Sequence, residues 1–265
     1  MRLTKHHGLG NDFIVALAEF NPGLTPDNDV SRHWCERRSG IGADGVLWGL
    51  HGHDGADLTM VLHNSDGSDA EISGNGIRCL AQAWLSAHGE ADGSVIIDTG
   101  AGRRTLEATA TDDPLVTWIS VDMGAVTAGP PIPDELAAQL NSEFGRWDSL
   151  SIGNPHLVIE VDSVRAIDLS ELGPSIEQRI PGGINVHVMA VIGPDHIELV
   201  HWERGAGLTL ACGSGASVGA VAAHRWGLVG DQVRVTLPGG DAHVARADTI
   251  TLSGPATLVA LMETP

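Results

Sequence analysis

Ser73-Gly-Asn-Gly76 and Cys212-Gly-Ser-Gly215 are the two stretches that decide how this chain folds. Each sets a nucleophile-type side chain before a glycine-flanked turn. Each then runs into an alanine-rich apolar segment, with Ala81 and Ala83 after the first and Ala220 and Ala222 after the second. The spacing predicts a helix from Asn75 to about His88 and another from Ser214 to about Trp226, both apolar on all sides and therefore buried. Outward from these landmarks the correspondence continues. Gly10-Asn11-Asp-Phe-Ile-Val15 matches Gly153-Asn154-Pro-His-Leu-Val158, and Ser39-Gly-Ile-Gly42 has its counterpart in Pro181-Gly-Gly-Ile184. The intervals agree: Asn11 to Ser73 is 62 positions and Asn154 to Cys212 is 58. Three pairs in one order at near-equal spacing imply a duplicated fold.

Between the landmarks the patterns are strand-like. LTMVLHN, SVIIDTG, LVTWISVDMG, HLVIEV, HVMAVIG, HIELVHW, QVRVTLPGG and TITLSG are short alternating or β-branched runs bounded by Gly, Asp and Pro. Further helices are expected over 26–38 and 134–143. The expected class is α+β: two pseudo-symmetric lobes, each a curved, mainly antiparallel sheet around one central helix, with the active site in the cleft between them. The repeat puts the first lobe at 1–114 plus 254–265 and the second at 115–253.

Composition narrows the functions. Hydrophobic residues make up 42% and charged residues 18% of 265 positions, the balance of a globular protein. A net charge of −19 argues against nucleic acid, which needs a basic face, and against an anionic membrane surface. No apolar run approaches the ~18–20 residues that span a bilayer, and the N-terminus has no signal-like apolar core. Three cysteines (Cys35, Cys79, Cys212) are an odd and small set that suits a reducing cytoplasm.

A helix start offers unsatisfied N–H groups and partial positive charge, so a carboxylate or phosphate is its natural guest. A thiol there is expected to have a lowered pKa. Gly213, Gly215 and Gly219 also suggest a dinucleotide fingerprint, but the flanks lack regular βαβ alternation and an acidic partner downstream. Cys35 and Cys79 read as buried thiols and Cys212 as a reactive one. Two such helix starts could serve an acid and a base on opposite faces of one carbon, which inverts a stereocentre without a cofactor. Pyridoxal phosphate would need a Schiff-base lysine, and the single lysine, Lys5, lies outside any phosphate-binding context.

His7-Gly-Leu-Gly-Asn11-Asp-Phe, Asn64-Ser-Asp-Gly-Ser, Gly74-Asn-Gly-Ile-Arg78-Cys, Gly153-Asn-Pro-His156, Glu203-Arg-Gly-Ala-Gly and Ala211-Cys-Gly-Ser-Gly together resemble the diaminopimelate epimerase family, from the first residues to the last strand. The resemblance implies a cytoplasmic, homodimeric isomerase with no cofactor and no metal. It would convert LL-diaminopimelate to the meso form for lysine and peptidoglycan synthesis. It assigns Asn11, Asn64, Asn154, Asn185, Glu203 and Arg204 to the distal end of this amino-acid substrate. The amides of Gly74, Asn75, Gly213 and Ser214 would take the reacting carboxylate, and His156 and Glu203 would help to place charge on the catalytic pair. One position departs: the family carries a cysteine where this chain has Ser73. Gly45 likewise stands where some members have glutamine. A serine hydroxyl titrates roughly five units above a thiol, so Ser73 is a poor base. An engineered substitution, a one-base enzyme working from Cys212, and drift toward another α-proton reaction all remain open at this level. So do a racemase or dehydratase of another amino acid, resembling proline racemases, and a silent binding homologue.

Overall fold

The computed structural model describes residues 1–264, which pack as two units: Met1–Asp122 with the residues from Ser253 on, and Met123–Leu252. The first unit contains β1 (Arg2–Gly8), β2 (Asn11–Leu17), α1 (Asn28–Cys35), β3 (Gly45–His51), β4 (Leu58–Asn64), β5 (Asp69–Ala70), α2 (Gly74–Ala87), β6 (Gly93–Thr99), β7 (Gly102–Ala110) and β8 (Val116–Gly124, of which 116–122 belong here). The second contains β9 (Thr127–Ala128), α3 (Asp134–Glu143), β10 (Trp147–Ser151), β11 (Pro155–Glu160), α4 (Leu169–Glu177), β12 (Asn185–Gly193), β13 (His196–Glu203), β14 (Gly207–Leu208), α5 (Gly213–Arg225), β15 (Gln232–Leu237) and β16 (Gly240–Arg246). Strand β17 (Ile250–Glu263) begins in the second unit and continues into the first.

The same pairing recurs in both units. β1 lies antiparallel to β2, β2 parallel to β3, β3 antiparallel to β4, and β4 parallel to β6, which pairs antiparallel with β7. The second unit repeats this with β10, β11, β12, β13, β15 and β16 in the same senses. In the first unit β8 follows β7, and β17 pairs with both β8 and β1, which closes the sheet into a barrel. Leu258 N–H donates to Leu115 O across the closing seam. Strand β8 is thus hydrogen-bonded into the first unit from Thr117 to Val121, so the division falls after Asp122 and not after Pro114.

Burial explains the strand sequences. β2, β3, β11 and β12 are continuous apolar runs because they are covered on both faces. Inside the first unit lies α2, buried at every residue from Gly74 to Ala83, and outside lies α1 over Ile14, Val46 and Trp48. Inside the second lies α5, and outside it α3 and α4 over Leu157, Ile159, Val186 and Val188. Small helix residues let the sheet approach closely. A Cβ at Gly219 would sit 2.5 Å from Leu199 Cδ1. The sequence anticipates α2, α5 and α3; α1 is shorter than expected, starting after Asp27, whose carboxylate accepts from Asp29 and Val30 N–H. It does not anticipate α4, which is N-capped by Asp168 and carries Pro174 inside. Among the described residues no helix is long and apolar enough to cross a membrane.

Several polar side chains are buried inside the units, and some of them tie elements together. In the first, Gln82 of α2 donates to Leu115 O and Ala256 O, both at 2.9 Å, and accepts from His6 at 2.8 Å. It therefore ties the central helix to the strands at the barrel's seam. Replacing Gln82 by Leu removes a hydrogen bond from Ala256 O and from the His6 imidazole N–H and leaves Leu115 O with Leu258 N–H alone, and an unfolding free energy lower by about 2–4 kcal/mol is expected. Thermal denaturation followed by circular dichroism checks it; an unchanged midpoint would assign Gln82 no structural weight.

Burial also holds four histidines neutral: His6 and His201 are lowered to about 4, His156 to about 3, and His187 well below its ordinary value. In the unfolded chain they titrate near 6.5, so below that pH the unfolded state binds protons that the folded state refuses. Stability is expected to be flat above about pH 7. It should then fall by up to roughly 1.4 kcal/mol per pH unit for each histidine as pH drops from 6.5 toward 4. Urea unfolding at pH 7.5 and 5.5 reads this directly, and equal or greater stability at the lower pH contradicts it.

Candidate active site

The two helix starts are built alike. Ser73 is the N-cap of α2, and its Oγ accepts from Gly76 N–H at 3.0 Å. Cys212 is the N-cap of α5, and its Sγ accepts from Gly215 N–H at 3.4 Å. Both have extended backbone, as an N-cap requires. Each cap satisfies one donor of the first turn, and the amides of residues 74–75 and 213–214 precede that donor.

Around Ser73 the side chains form a chain of hydrogen bonds. Asp44 accepts from the Asn11 amide at 2.9 Å, Asn11 Oδ1 accepts from Asn75 at 3.1 Å, and Asn75 Oδ1 accepts from Arg78 at 2.9 Å. Arg78 also donates to Gly74 O at 3.0 Å. This guanidinium is wholly buried, is pushed down to about 10 by that burial, and has its Nε without a partner. A Cβ at Gly254 or Gly8 would meet Arg78 Nη2 at 3.3 or 3.4 Å, so two glycines make room for it. Beyond Asn11 lies a charged set in which Asp12 takes Lys5 at 2.9 Å and Arg37 at 2.7 Å. Burial opposes ionisation of Asp12, but the hydrogen bonds from Arg37 and Lys5 outweigh it and hold the carboxyl below its ordinary range. Asn64 ends β4, turned toward Ser68 Oγ at 3.0 Å.

Around Cys212 the arrangement is polar in a different way. His156 Nε2 meets Asn154 Oδ1 at 2.7 Å and His156 Nδ1 meets His187 Nε2 at 2.8 Å. Asn185 donates to Pro155 O at 2.8 Å and accepts from Arg204 N–H at 2.9 Å, while the Arg204 guanidinium reaches Gly182 O at 3.0 Å. Glu203 ends β13 and accepts a short hydrogen bond from Thr209 Oγ1. Ser214 Oγ lies 3.5 Å from Cys212 Sγ.

The Cys212 thiol is not the low-pKa group that a helix start alone suggests. Burial pushes it well above its ordinary value, and the Glu203 carboxylate adds to this by its charge and by accepting from the thiol. The contacts with Ser214 and Gly215 N–H pull the other way and are outweighed. At rest the group is a protonated thiol beside a carboxylate. Cys35 and Cys79 are buried as expected, each pushed up to about 12, first by desolvation.

Of the residues singled out in the sequence, Asn11, Gly74 and Asn75 cluster with Ser73 in the first unit, with Asn64 at the end of the adjoining strand. Asn154 joins His156, and Asn185 joins Arg204; Glu203, Gly213 and Ser214 gather about Cys212 in the second unit. His156 spends both ring nitrogens on Asn154 and His187 and stays neutral. Sequence reading missed Arg78, His187, His201 and Thr209. The first was in plain view inside Gly74-Asn-Gly-Ile-Arg78; His187 and His201 sit in strand-like runs and Thr209 just past β14, with nothing local to mark them.

A family model described as diaminopimelate epimerase matches residues 3–128 and 149–259. The diaminopimelate epimerase of Synechococcus elongatus is 40% identical over 98% of this chain and 96% of its own. That of Carboxydothermus hydrogenoformans is 36% identical over 98% and 97%. Among solved structures, a protein described as an epimerase from Pseudomonas aeruginosa superposes with a TM-score of 0.75 at 18% identity, covering 99% of this chain and 98% of its own. A hydroxyproline epimerase from Agrobacterium vitis, solved with trans-4-hydroxy-L-proline, gives 0.69 at 19% over 99% and 91%. Those two share the fold. With the sequence match running nearly end to end, the chain belongs to the diaminopimelate epimerase family.

Proposed function

We propose that this chain converts LL-diaminopimelate to meso-diaminopimelate without a cofactor, by moving the α-proton between two faces served by residues 73 and 212. The observation that carries the reading is the matched pair of helix starts, each with a proton-bearing side chain at the N-cap and two glycine-flanked amides behind it. On this reading the amides of Gly74, Asn75, Gly213 and Ser214 bind the reacting carboxylate and stabilise the charge that grows on it as the α-carbon loses its proton. The buried Arg78 cation behind Asn75 favours the same charge. At the distal end Arg204 pairs with the second carboxylate and Glu203 with the ammonium, oriented by Asn11, Asn64, Asn154 and Asn185. His156 acts through Asn154, which it holds as a neutral donor.

The proton inventory follows from the resting state. Cys212 carries its proton, so it becomes a base only when that proton passes to Glu203. The thiolate then takes the α-proton, and the carbanion is protonated on the other face by the Ser73 hydroxyl or by water through it. Ser73 is a far weaker acid than the cysteine of the resembling sequences, at ~1.4 kcal/mol per pKa unit. The face served by Cys212 should therefore exchange its proton much faster than the molecule inverts.

Incubation with LL- and with meso-diaminopimelate in D₂O, followed by NMR, tests this. One isomer should gain Cα deuterium well ahead of any change in diastereomer ratio. Equal and rapid labelling of both isomers would contradict the role given to Ser73, and binding without any labelling would leave a silent homologue. In Ser73→Cys, inversion should rise by at least about 100-fold toward the exchange rate, since each pKa unit recovered is worth up to tenfold. No gain in that variant would remove diaminopimelate as the substrate.

A further inference from the structure

The two units differ most where their sheets meet the first turn of the central helix. In the first, Phe13 stands opposite Gly45, and Leu47 opposite Leu62. A Cβ at Gly76 would touch Leu47 and Phe13, both at 3.3 Å. The register of the second unit puts His156 opposite Asn185, and His187 opposite His201. A Cβ at Gly215 would overlap the His187 ring, 2.7 Å from its Nδ1. Three fully buried histidines thus stand at the positions of a phenylalanine and two leucines. Imidazoles cost more to bury than the apolar side chains they replace, so packing alone does not account for them.

Proton positions follow from the partners. Asn154 Oδ1 only accepts, so His156 Nε2 carries hydrogen and its Nδ1 accepts from His187 Nε2. The carboxylate of Glu203 only accepts, so Thr209 gives it the hydroxyl hydrogen and takes one from His201 Nε2 at 2.8 Å. The Nδ1 atoms of His187 and His201 are then bare lone pairs, and both lack a partner. The exit from this cluster toward Cys212 runs from His201 through Thr209 to Glu203. The Glu203 side chain is 29% exposed, so water is its alternative partner and its rotamer is not fixed by burial.

We infer that His201 and Thr209 are positioning residues that clamp the Glu203 carboxylate against the Cys212 thiol, so that thiol and carboxylate exchange a proton in one fixed geometry. The inference rests on the proposed function for its catalytic meaning, but its physical content concerns the resting protein. His201 donates to Thr209, which fixes the hydroxyl rotor. The rotor donates to one carboxylate oxygen, which leaves the other side of Glu203 facing the thiol. Without the clamp the carboxylate turns to solvent and Cys212 keeps its proton with no acceptor.

The S–H stretch of Cys212 in the infrared reads this with no substrate present, its band assigned by loss in Cys212→Ala against those of Cys35 and Cys79. Thr209→Val keeps the shape and removes the hydroxyl; its Cys212 band should move to higher frequency as the thiol loses its strong acceptor. His201→Leu, which installs the residue of the first unit, should move the band the same way, and Thr209→Ser should restore it. In turnover, Thr209→Val should lower kcat for Cα–H exchange about tenfold or more with KM changed less than about twofold. A band that stays in place in Thr209→Val, with fold verified by circular dichroism, overturns the clamp. A shifted band in a protein whose wild type does not exchange diaminopimelate upholds the clamp and sinks the proposed function instead.

Discussion

Both central helices begin inside their own units, where the first N–H groups of the backbone have little water to turn to. Gly74, Asn75, Gly76, Gly213 and Gly215 are all buried. An unpaired amide in such a place costs of order 1–3 kcal/mol, so the cap is required. Ser73 and Cys212 supply it, and in doing so they are fixed in position by a structural need. On the proposed reading, the amides that precede each capped donor are where the substrate carboxylate binds, so the structural need that fixes the caps also fixes the geometry of that site.

Around this shared constraint the duplicated units have diverged in chemistry. The first keeps an apolar floor of Phe13, Leu47 and Leu62 and adds a buried cation, Arg78, whose recorded partners are a carbonyl and an amide oxygen. The second keeps no cation there and fills its floor with imidazoles and a carboxylate. One helix start has a buried cation behind it; the other has a carboxylate beside its cap. Arg204 spends its backbone amide on Asn185, and its guanidinium donates to Gly182 O.

What was legible in the sequence is what short-range pattern records. Ser73-Gly-Asn-Gly and Cys212-Gly-Ser-Gly announce the helix starts, and the duplication follows from their spacing. The strands covered on both faces are apolar enough to be seen one at a time. Helix α4 was not, because Gly173-Pro174 reads as a breaker; the glycine is needed where the chain lies on Trp202, whose Cβ would be 2.6 Å from an added methyl. The histidine cluster was invisible for a different reason. His156, His187 and His201 are brought together by strand register, and register is set by pairing across the sheet, which no local pattern states. The thiol's raised pKa was missed because a sequence shows the helix start but not the depth at which it is buried.

Strand β17 bears on how the molecule is made. Residues 253–263 supply the partner that β1 pairs with from Arg2↔Glu263 to His7↔Thr257, and Gln82 waits on Ala256 for one of its bonds. The half synthesised first therefore cannot shut its sheet until residues 253–263 have left the ribosome. The half that follows has its paired strands β10 to β16 within residues 147–246. Vectorial synthesis would thus favour completion of the later unit before the earlier one, reversing the usual order. Throughout translation the nascent barrel carries an open edge at β1, the kind of surface on which holdase chaperones act.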